Sequence, residues 1–137
     1  MGALSPILRN LKGGRLAWWC PGCDEPHQVL ATISDPAVVK PDPSDPNWTP
    51  PQEYYQARGG SWTWNGSASK PTFQPSVLVT HEANPDASEE FKEWRTRRVC
   101  HCFVVDGAMQ FLGDCTHALA GQAVPIPPWP RPDWGGV

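Results

Sequence analysis

Residues 98–121, RVCHCFVVDGAMQFLGDCTHALAG, carry the feature that most restricts what this chain can fold into. Asp106-Gly107 separates two apolar runs, and this dipeptide is a strong signal for a two-residue turn between antiparallel strands. A turn of that length places Val105 opposite Ala108 and fixes the register of the whole hairpin. The sequence therefore predicts a β-hairpin with two distinct faces.

The predicted register sorts the reactive side chains of this hairpin onto opposite faces. One face carries Cys100 and Cys102, and Cys115 joins it just beyond the second strand. The other face carries His101, with Asp114 diagonal to it. The hairpin is thus expected to present thiols on one side and an imidazole with a carboxylate on the other.

The composition indicates a loop-rich chain whose small core needs a staple. Its 137 residues include 17 prolines and 12 glycines, and 39% of them are hydrophobic. The cysteine count of five is odd and no signal peptide is recognisable, so metal ligation is favoured over disulfides. The net charge of −3 argues against a nucleic-acid partner, and no apolar run is long enough to span a membrane.

The motif Cys20-Pro21-Gly22-Cys23 has the spacing of a zinc knuckle, in which a tight turn directs both sulfurs at one ion. No thioredoxin-like βαβ pattern surrounds it, which disfavours a redox pair. A closed set of four ligands would make the ion, Zn²⁺, structural. The predicted ligands are Cys20, Cys23, Cys100 and Cys115, with His117 or Cys102 as the alternative fourth.

His101, Asp114 and His117 form a second candidate cluster, which His27 could join. Two histidines and a carboxylate can hold a catalytic metal with open positions, or act as general acid and base. Two other interpretations stay open. Asp114 could only cap a short helix and accept a hydrogen bond from His101, or Cys115 could act as a nucleophile with His117.

The chain reads as one domain with an arm and a tail. Residues 1–14 form the arm, residues 15–124 the zinc-stabilised β domain, and residues 125–137 a tail rich in proline and tryptophan. Within the domain, residues 36–52 are expected to form a long proline-rich loop.

The predicted fold class is mainly β, as a small α+β protein in which a zinc knuckle staples a hairpin within a small antiparallel sheet. Apolar residues at helical spacing predict short helices near residues 4–11 and over residues 84–98. Asp114 and Gly121 predict a third short helix, over residues 115–120.

Three blocks of the sequence resemble, in order, a family of small proteins common in bacteriophages and prophages. The blocks are WCPGCDEPH, WTWNGSASKPTFQPSVLV and CHCFVVDGAMQFLGDCTHALAGQAVPIP. The family is known as DUF6527, and its members often carry the label "ammonia monooxygenase". The positions that match its pattern are Cys20, Cys23, Asn65, Gly66, Pro71, Thr72, Pro75, Ser76, Cys100, His101, Asp106, Gly107, Asp114, Thr116 and His117.

The resemblance implies a phage origin and zinc more than it implies chemistry. Cys102 departs from the pattern, which usually has serine there, so the resemblance favours Cys115 or His117 as the fourth ligand. Some relatives are found beside ubiquitin-like conjugation genes, which hints at a zinc-dependent peptidase.

These observations lead to two hypotheses on function. The first is a non-enzymatic, virion-associated or accessory protein that holds one structural Zn²⁺. It binds a virion component or a host protein, and it is located in the host cytoplasm or the virion rather than secreted. The alternative is a metal-dependent hydrolase or peptidase that uses His101, Asp114 and His117 and a water activated by a second metal ion. We favour the first, and with it a protein that is not an enzyme.

Overall fold

The computed structural model describes residues 2–33, 39, 47–57 and 59–130, and it is mainly β. Within these residues, nine strands lie in one sheet in the order of the sequence, and all neighbours are antiparallel except β4 and β5. In the described part of the chain, the 3-10 helices Gln52–Tyr55 and Glu89–Arg95 lie between strands. The strands are β1 Gly2–Ala3, β2 Arg9–Leu11, β3 Arg15–Cys20, β4 Glu25–Thr32, β5 Trp62–Trp64, β6 Phe73–His81, β7 Arg98–Val105, β8 Ala108–Phe111 and β9 Ala123–Pro125.

The sheet is curled, so strands that are distant in its order touch across its inner face. Trp18 on β3 stacks on Phe73 of β6 with ring centroids 5.3 Å apart. Cys20 Sγ at the end of β3 lies 3.9 Å from Cys100 Sγ on β7. All four residues are buried, and each buried aromatic ring contributes on the order of several kcal/mol through the area it removes from water. The inner face therefore encloses the core, which leaves the outer face for a surface site.

The predicted hairpin is confirmed as strands β7 and β8. Val105 pairs with Ala108, as the two-residue turn requires. Asp106 and Gly107 have φ angles of 49° and 79°, the positive values that a type I′ turn needs at both central positions. The thiols of β7 are buried and its imidazole lies on the opposite face, in agreement with the predicted register.

Of the three predicted helices, the one near residues 4–11 is replaced by strand. The segment makes a turn and then forms β2, which pairs with β3. The Ser5 hydroxyl accepts hydrogen bonds from the N–H groups of Ile7 and Leu8 and so shapes the turn. Leu8 is fully buried, so strand pairing and core packing outweigh the helical spacing of the apolar residues.

The other two predictions of helix hold in part or not at all. Residues 84–98 are helical only over Glu89–Arg95, as two 3-10 turns joined at Phe91, where φ and ψ are −116° and 35°. Residues 115–120 form turns instead of a helix. Residues 84–97 are almost all exposed, and short helices need tertiary packing to persist. In residues 115–120, Cys115 is buried and its thiol bonds to the backbone of His101 instead.

The predicted proline-rich loop at residues 36–52 lies largely outside the described residues, and the tail is described as far as residue 130. Trp129 of the tail packs on Trp19, with ring centroids 6.0 Å apart, and its Nε1 donates to the backbone oxygen of Ile7. Among the described residues, no helix has the length and apolar character that crossing a membrane requires.

Candidate active site and metal cluster

The pairing of β6 with β7 brings Ser76 against His101. The strands are in register where Val77 faces Cys102 and Leu78 faces His101. Ser76 precedes this stretch and shares the outer face with Leu78, because side chains alternate along a strand. The Oγ of Ser76 lies 3.1 Å from Nε2 of His101.

A β-bulge near the start of β6 sets the position of this serine. The register of the β6–β7 pairing shifts there, so residues 74–76 of β6 face the single residue Phe103 of β7. Bulges bend a strand and redirect its side chains, and they are frequent next to active sites. Trp62 on β5 supports the bulge, since its Nε1 donates to the backbone oxygen of Ser76 at 3.3 Å.

Asp114 completes the constellation on the far side of His101. Its Oδ2 lies 3.1 Å from Nδ1 of the imidazole. When Nδ1–H donates to this carboxylate, Nε2 presents its lone pair to the Ser76 hydroxyl. The side chains of His101 and Asp114 are 25% and 56% exposed, so a substrate can reach them. The three residues therefore have the connectivity of a Ser-His-Asp catalytic triad.

The thiol of Cys115 holds the backbone of His101. The N–H of His101 donates to Sγ, and the thiol donates to the carbonyl oxygen of His101, both at 3.2 Å. The N–H of Leu112 donates to the same carbonyl at 2.9 Å. Cys115, predicted as the fourth metal ligand, is thus directed at His101 and lies outside the described cluster of possible ligands.

Four side chains, including that of Cys100 on β7, form a group that could hold a metal ion and that is called the metal cluster below. One ligand atom from each lies within 4.8 Å of the others, and the group consists of Cys20, Cys23, Cys100 and His117. Cys20 ends β3, and its Sγ accepts the N–H of Cys23 at 3.4 Å in the turn that leads to β4. Three of the four residues are the predicted thiol ligands, and the fourth is the alternative that the sequence left open. That they bind a metal stays a prediction.

The packing of Gly22 against His117 fits this use. A Cβ at residue 22 would lie 2.4 Å from the imidazole, so only glycine lets the ring approach the thiols. The Nε2 of His117 is buried and has no hydrogen-bond partner among the described residues. A buried nitrogen without a partner is unfavourable unless a ligand satisfies it.

The thiols of the cluster prefer different protonation states. Hydrogen bonds from Cys100 and Cys23 stabilise the Cys20 thiolate and lower the pKa of Cys20 far below its ordinary value. The pKa of Cys100 is raised, because hydrogen bonds with Cys102 and Cys20 favour its protonated form. A cation would displace the remaining protons, since the thiolate is the form that binds metals.

His27, predicted as an addition to the His101 cluster, lies beside the metal cluster instead. It forms a second set of possible ligands with Cys23 and Glu25, again within 4.8 Å of one another. Its ring stands edge-on to Trp18, with centroids 6.3 Å apart, and its Nε2 has no hydrogen-bond partner in the described part of the chain. The two sets share Cys23, so they describe one region of the molecule.

A cleft of about 600 Å³ opens between the metal cluster and the 3-10 helix Glu89–Arg95. Trp94 borders it on one side, and Val99 and Thr116 border it on another. Val99 is two residues before His101, and Thr116 is two residues after Asp114. Ser76, His101 and Asp114 do not line the cleft, so it is distinct from the triad.

Comparison with known protein families decides the class of this chain. Residues 5–112 match the family described as "Bacterial ubiquitination-like system serine protease (BubE)". The chain belongs to the BubE family. The BubE match includes Ser76 and His101 and ends just before Asp114. No curated protein and no solved structure matches the chain.

Membership in the BubE family corrects several predictions. The assignment to the phage family DUF6527 is wrong, and with it the phage origin. The favoured function, a non-enzymatic accessory protein, is also wrong, because BubE proteins are described as serine proteases. The alternative, a peptidase, agrees better with the family. It named His101 and Asp114, which the structure joins, but it also named His117, which lies in the metal cluster.

Ser76 is a candidate functional residue that the sequence analysis did not single out as a nucleophile. Ser76 lies in the sequence block SKPTFQPSVLV, directly before an apolar run that predicts a strand. Its role depends on the pairing of this strand with the one that carries His101. No local pattern reveals that pairing, although a histidine bonded to a carboxylate is itself a reason to search for a serine hydroxyl.

Proposed function

We propose that this chain is a serine peptidase in which Ser76 is the nucleophile, His101 the general base, and Asp114 the group that orients the imidazole. The observation that carries the proposal is the pair of 3.1 Å contacts that His101 makes, from Nε2 to Ser76 Oγ and from Nδ1 to Asp114 Oδ2. A serine hydroxyl is a weak nucleophile by itself, and an adjacent base activates it. The description of the family as serine proteases supports the same assignment.

Cleavage then proceeds through an acyl-enzyme. The oxygen of Ser76 attacks the scissile carbonyl carbon while its proton passes to Nε2 of His101. The imidazolium, which the Asp114 carboxylate stabilises, gives that proton to the leaving nitrogen as the C–N bond breaks. Water attacks the resulting ester and loses a proton to the same Nε2. As the ester C–O bond breaks, Nε2 returns that proton to the oxygen of Ser76, and the carboxylic acid is released.

The family description supports a class of substrate. BubE proteins are described as proteases of bacterial ubiquitination-like systems, and ubiquitination joins the C-terminal carboxyl group of a small modifier protein to an amine. We propose that this chain cleaves the amide bond at such a carboxyl group, so that the modifier supplies the acyl part of the substrate. The open outer face of β6 and β7 admits a protein substrate of this kind, since His101 and Asp114 remain partly exposed.

A fluorophosphonate probe tests the nucleophile. The wild-type chain is expected to gain one covalent adduct on the Ser76 peptide, measured by mass spectrometry, and Ser76→Ala and His101→Ala are expected to lose it. Ser88→Ala is the matched control, because Ser88 is exposed and its side chain makes no capping hydrogen bond. An adduct on another residue, or undiminished labelling of Ser76→Ala, would show that the triad assignment is wrong.

We also propose that one structural Zn²⁺ is bound by Cys20, Cys23, Cys100 and His117. Three thiols with one imidazole form a donor set that suits zinc, and four protein ligands leave no open position for catalysis. The ion would join the turn at residues 20–23 to β7, on the face of β7 opposite to His101. This role differs from the second, catalytic metal of the earlier alternative hypothesis.

Metal analysis tests the zinc proposal. The purified chain is expected to contain about one equivalent of zinc, and Cys100→Ser and His117→Ala are expected to lose it. His81→Ala is the matched control, because His81 borders the same cleft but pairs with Glu25 at 2.7 Å. Retention of one zinc in both ligand variants would contradict the assignment.

A further inference from the structure

Two large apolar side chains stand exposed on the face of the sheet that carries the triad. Leu78 is 58% exposed and Phe103 is 42% exposed. Both lie within strands, on β6 and β7, where outward positions commonly hold polar residues. Exposed apolar side chains at such positions indicate a surface that contacts a partner or a substrate.

The positions of these side chains connect them to the reacting groups. Leu78 directly faces His101 across the strands and follows Ser76 by two residues, so it shares their face. Phe103 follows His101 by two residues and faces the bulge that contains Ser76. The nucleophile is thus flanked by Leu78 along its own strand and by Phe103 across from it.

We propose that Leu78 and Phe103 form the specificity surface of the peptidase and receive an apolar side chain of the acyl part of the substrate, close to the scissile bond. The inference rests on the proposed function and adds to it a chemical requirement, namely an apolar residue near the C-terminus of the modifier. Continuity with Ser76 and His101 is the argument for a substrate as the occupant. The acyl part stays attached to Ser76 through the intermediate, so contacts with it act in both chemical steps.

Two activated esters of matched size test the proposal, the p-nitrophenyl esters of N-acetyl-leucine and N-acetyl-asparagine. The wild-type chain is expected to favour the leucine ester in kcat/KM by about tenfold or more. Leu78→Ser and Phe103→Ser are each expected to reduce this ratio about fivefold. General damage to the triad lowers both values equally and cancels in the ratio.

Trp94→Ser is the matched control, because Trp94 is 40% exposed, similar to Phe103, and lies in the 3-10 helix Glu89–Arg95 rather than on β6 or β7. It is expected to leave the ratio unchanged. A wild-type ratio near one, or a ratio that Leu78→Ser and Phe103→Ser leave intact, would overturn the inference. Self-association that is lost in these two variants would also overturn it, since a second copy would then be the occupant.

Labelling of the wild-type chain by the fluorophosphonate separates this failure from failure of the proposed function. If the chain is labelled on Ser76 but shows no preference between the esters, the specificity surface alone is refuted. If the wild-type chain neither reacts with the probe nor hydrolyses either ester, the peptidase assignment fails and the inference falls with it.

Discussion

Asp114 determines which nitrogen of His101 faces the serine. Asp114 Oδ2 lies 3.1 Å from Nδ1 of His101, so a proton on Nδ1 can donate to it and leave Nε2 available as the proposed base for Ser76. In Asp114→Asn, the amide N–H₂ can donate to Nδ1 and place the imidazole proton on Nε2, where it blocks proton transfer. We expect kcat to fall by about 10³- to 10⁴-fold with little change in folding. Initial rates on an activated ester, with circular dichroism as the check on folding, measure this effect.

Asp24→Asn is a suitable control for that variant, because Asp24 is an exposed aspartate in the knuckle turn, outside the triad. It removes the same charge and is expected to leave kcat unchanged. A loss smaller than about tenfold in Asp114→Asn would mean that the carboxylate does not orient the base.

A second test at the scale of a single residue concerns Cys115, which the sequence offered both as a metal ligand and as a nucleophile. Its thiol bridges the N–H and carbonyl of His101, so Cys115→Ala is expected to lower kcat by roughly three- to tenfold through loss of those hydrogen bonds. The zinc content is expected to stay at one equivalent. Cys100→Ala, in comparison, is expected to lose the ion. Zinc loss in Cys115→Ala would restore Cys115 as a ligand.

At the scale of secondary-structure elements, the hairpin was predictable and the triad was not. The turn at Asp106-Gly107 is local, so its register followed from the sequence and correctly separated His101 from the thiols of β7. Strand β6 pairs with β7 across residues 82–97, and the bulge over residues 74–76 is defined by that pairing. The position of the proposed nucleophile therefore depends on a long-range contact that no periodicity encodes.

The N-terminal segment shows that a clear local pattern can also predict the wrong element. Its apolar residues fit a helix, but pairing with β3 and burial of Leu8 decide its structure. The spacing of Cys20 and Cys23, in contrast, is a local feature, so the sequence alone could predict them as a pair of ligands, and the structure places them in a group that could hold a metal ion. The sequence offered His117 only as an alternative fourth ligand. Its place beside the thiols depends on the path of residues 115–120, which form turns where a helix was predicted.

The knuckle turn supports a prediction at this scale that removes no ligand. A Cβ at residue 22 would meet the His117 ring at 2.4 Å, so Gly22→Ala must displace the imidazole or the turn. We expect the affinity for zinc to fall by about 10- to 100-fold, measured by competition with a chromogenic chelator. Gly113→Ala is the control, since nothing lies within 4 Å of a Cβ there. Equal affinity in the two variants would show that this contact does not position the ligand.

At the scale of the whole molecule, one strand separates the two candidate sites. Neighbouring residues Cys100 and His101 of β7 point to opposite faces of the curled sheet, the first towards the metal cluster and the second towards Ser76. A bound ion would hold β3 to β7 on the inner face of the sheet, and the proposed reaction would take place on the outer face. Metal and activity are expected to be linked only through the stability of the fold.

Removal of the metal by a chelator distinguishes this arrangement from a metal-dependent hydrolase. We expect the melting temperature to fall by on the order of 10 °C or more, because the binding energy of a structural ion is part of the folding energy. The rate of fluorophosphonate labelling at Ser76 should then decline in proportion to the folded fraction, as circular dichroism on the same samples reports. Ser76→Ala should show the same fall in melting temperature without any labelling, which separates stability from chemistry. A catalytic ion would behave differently, since activity would vanish while the fold persisted, and another divalent metal such as Co²⁺ would restore it.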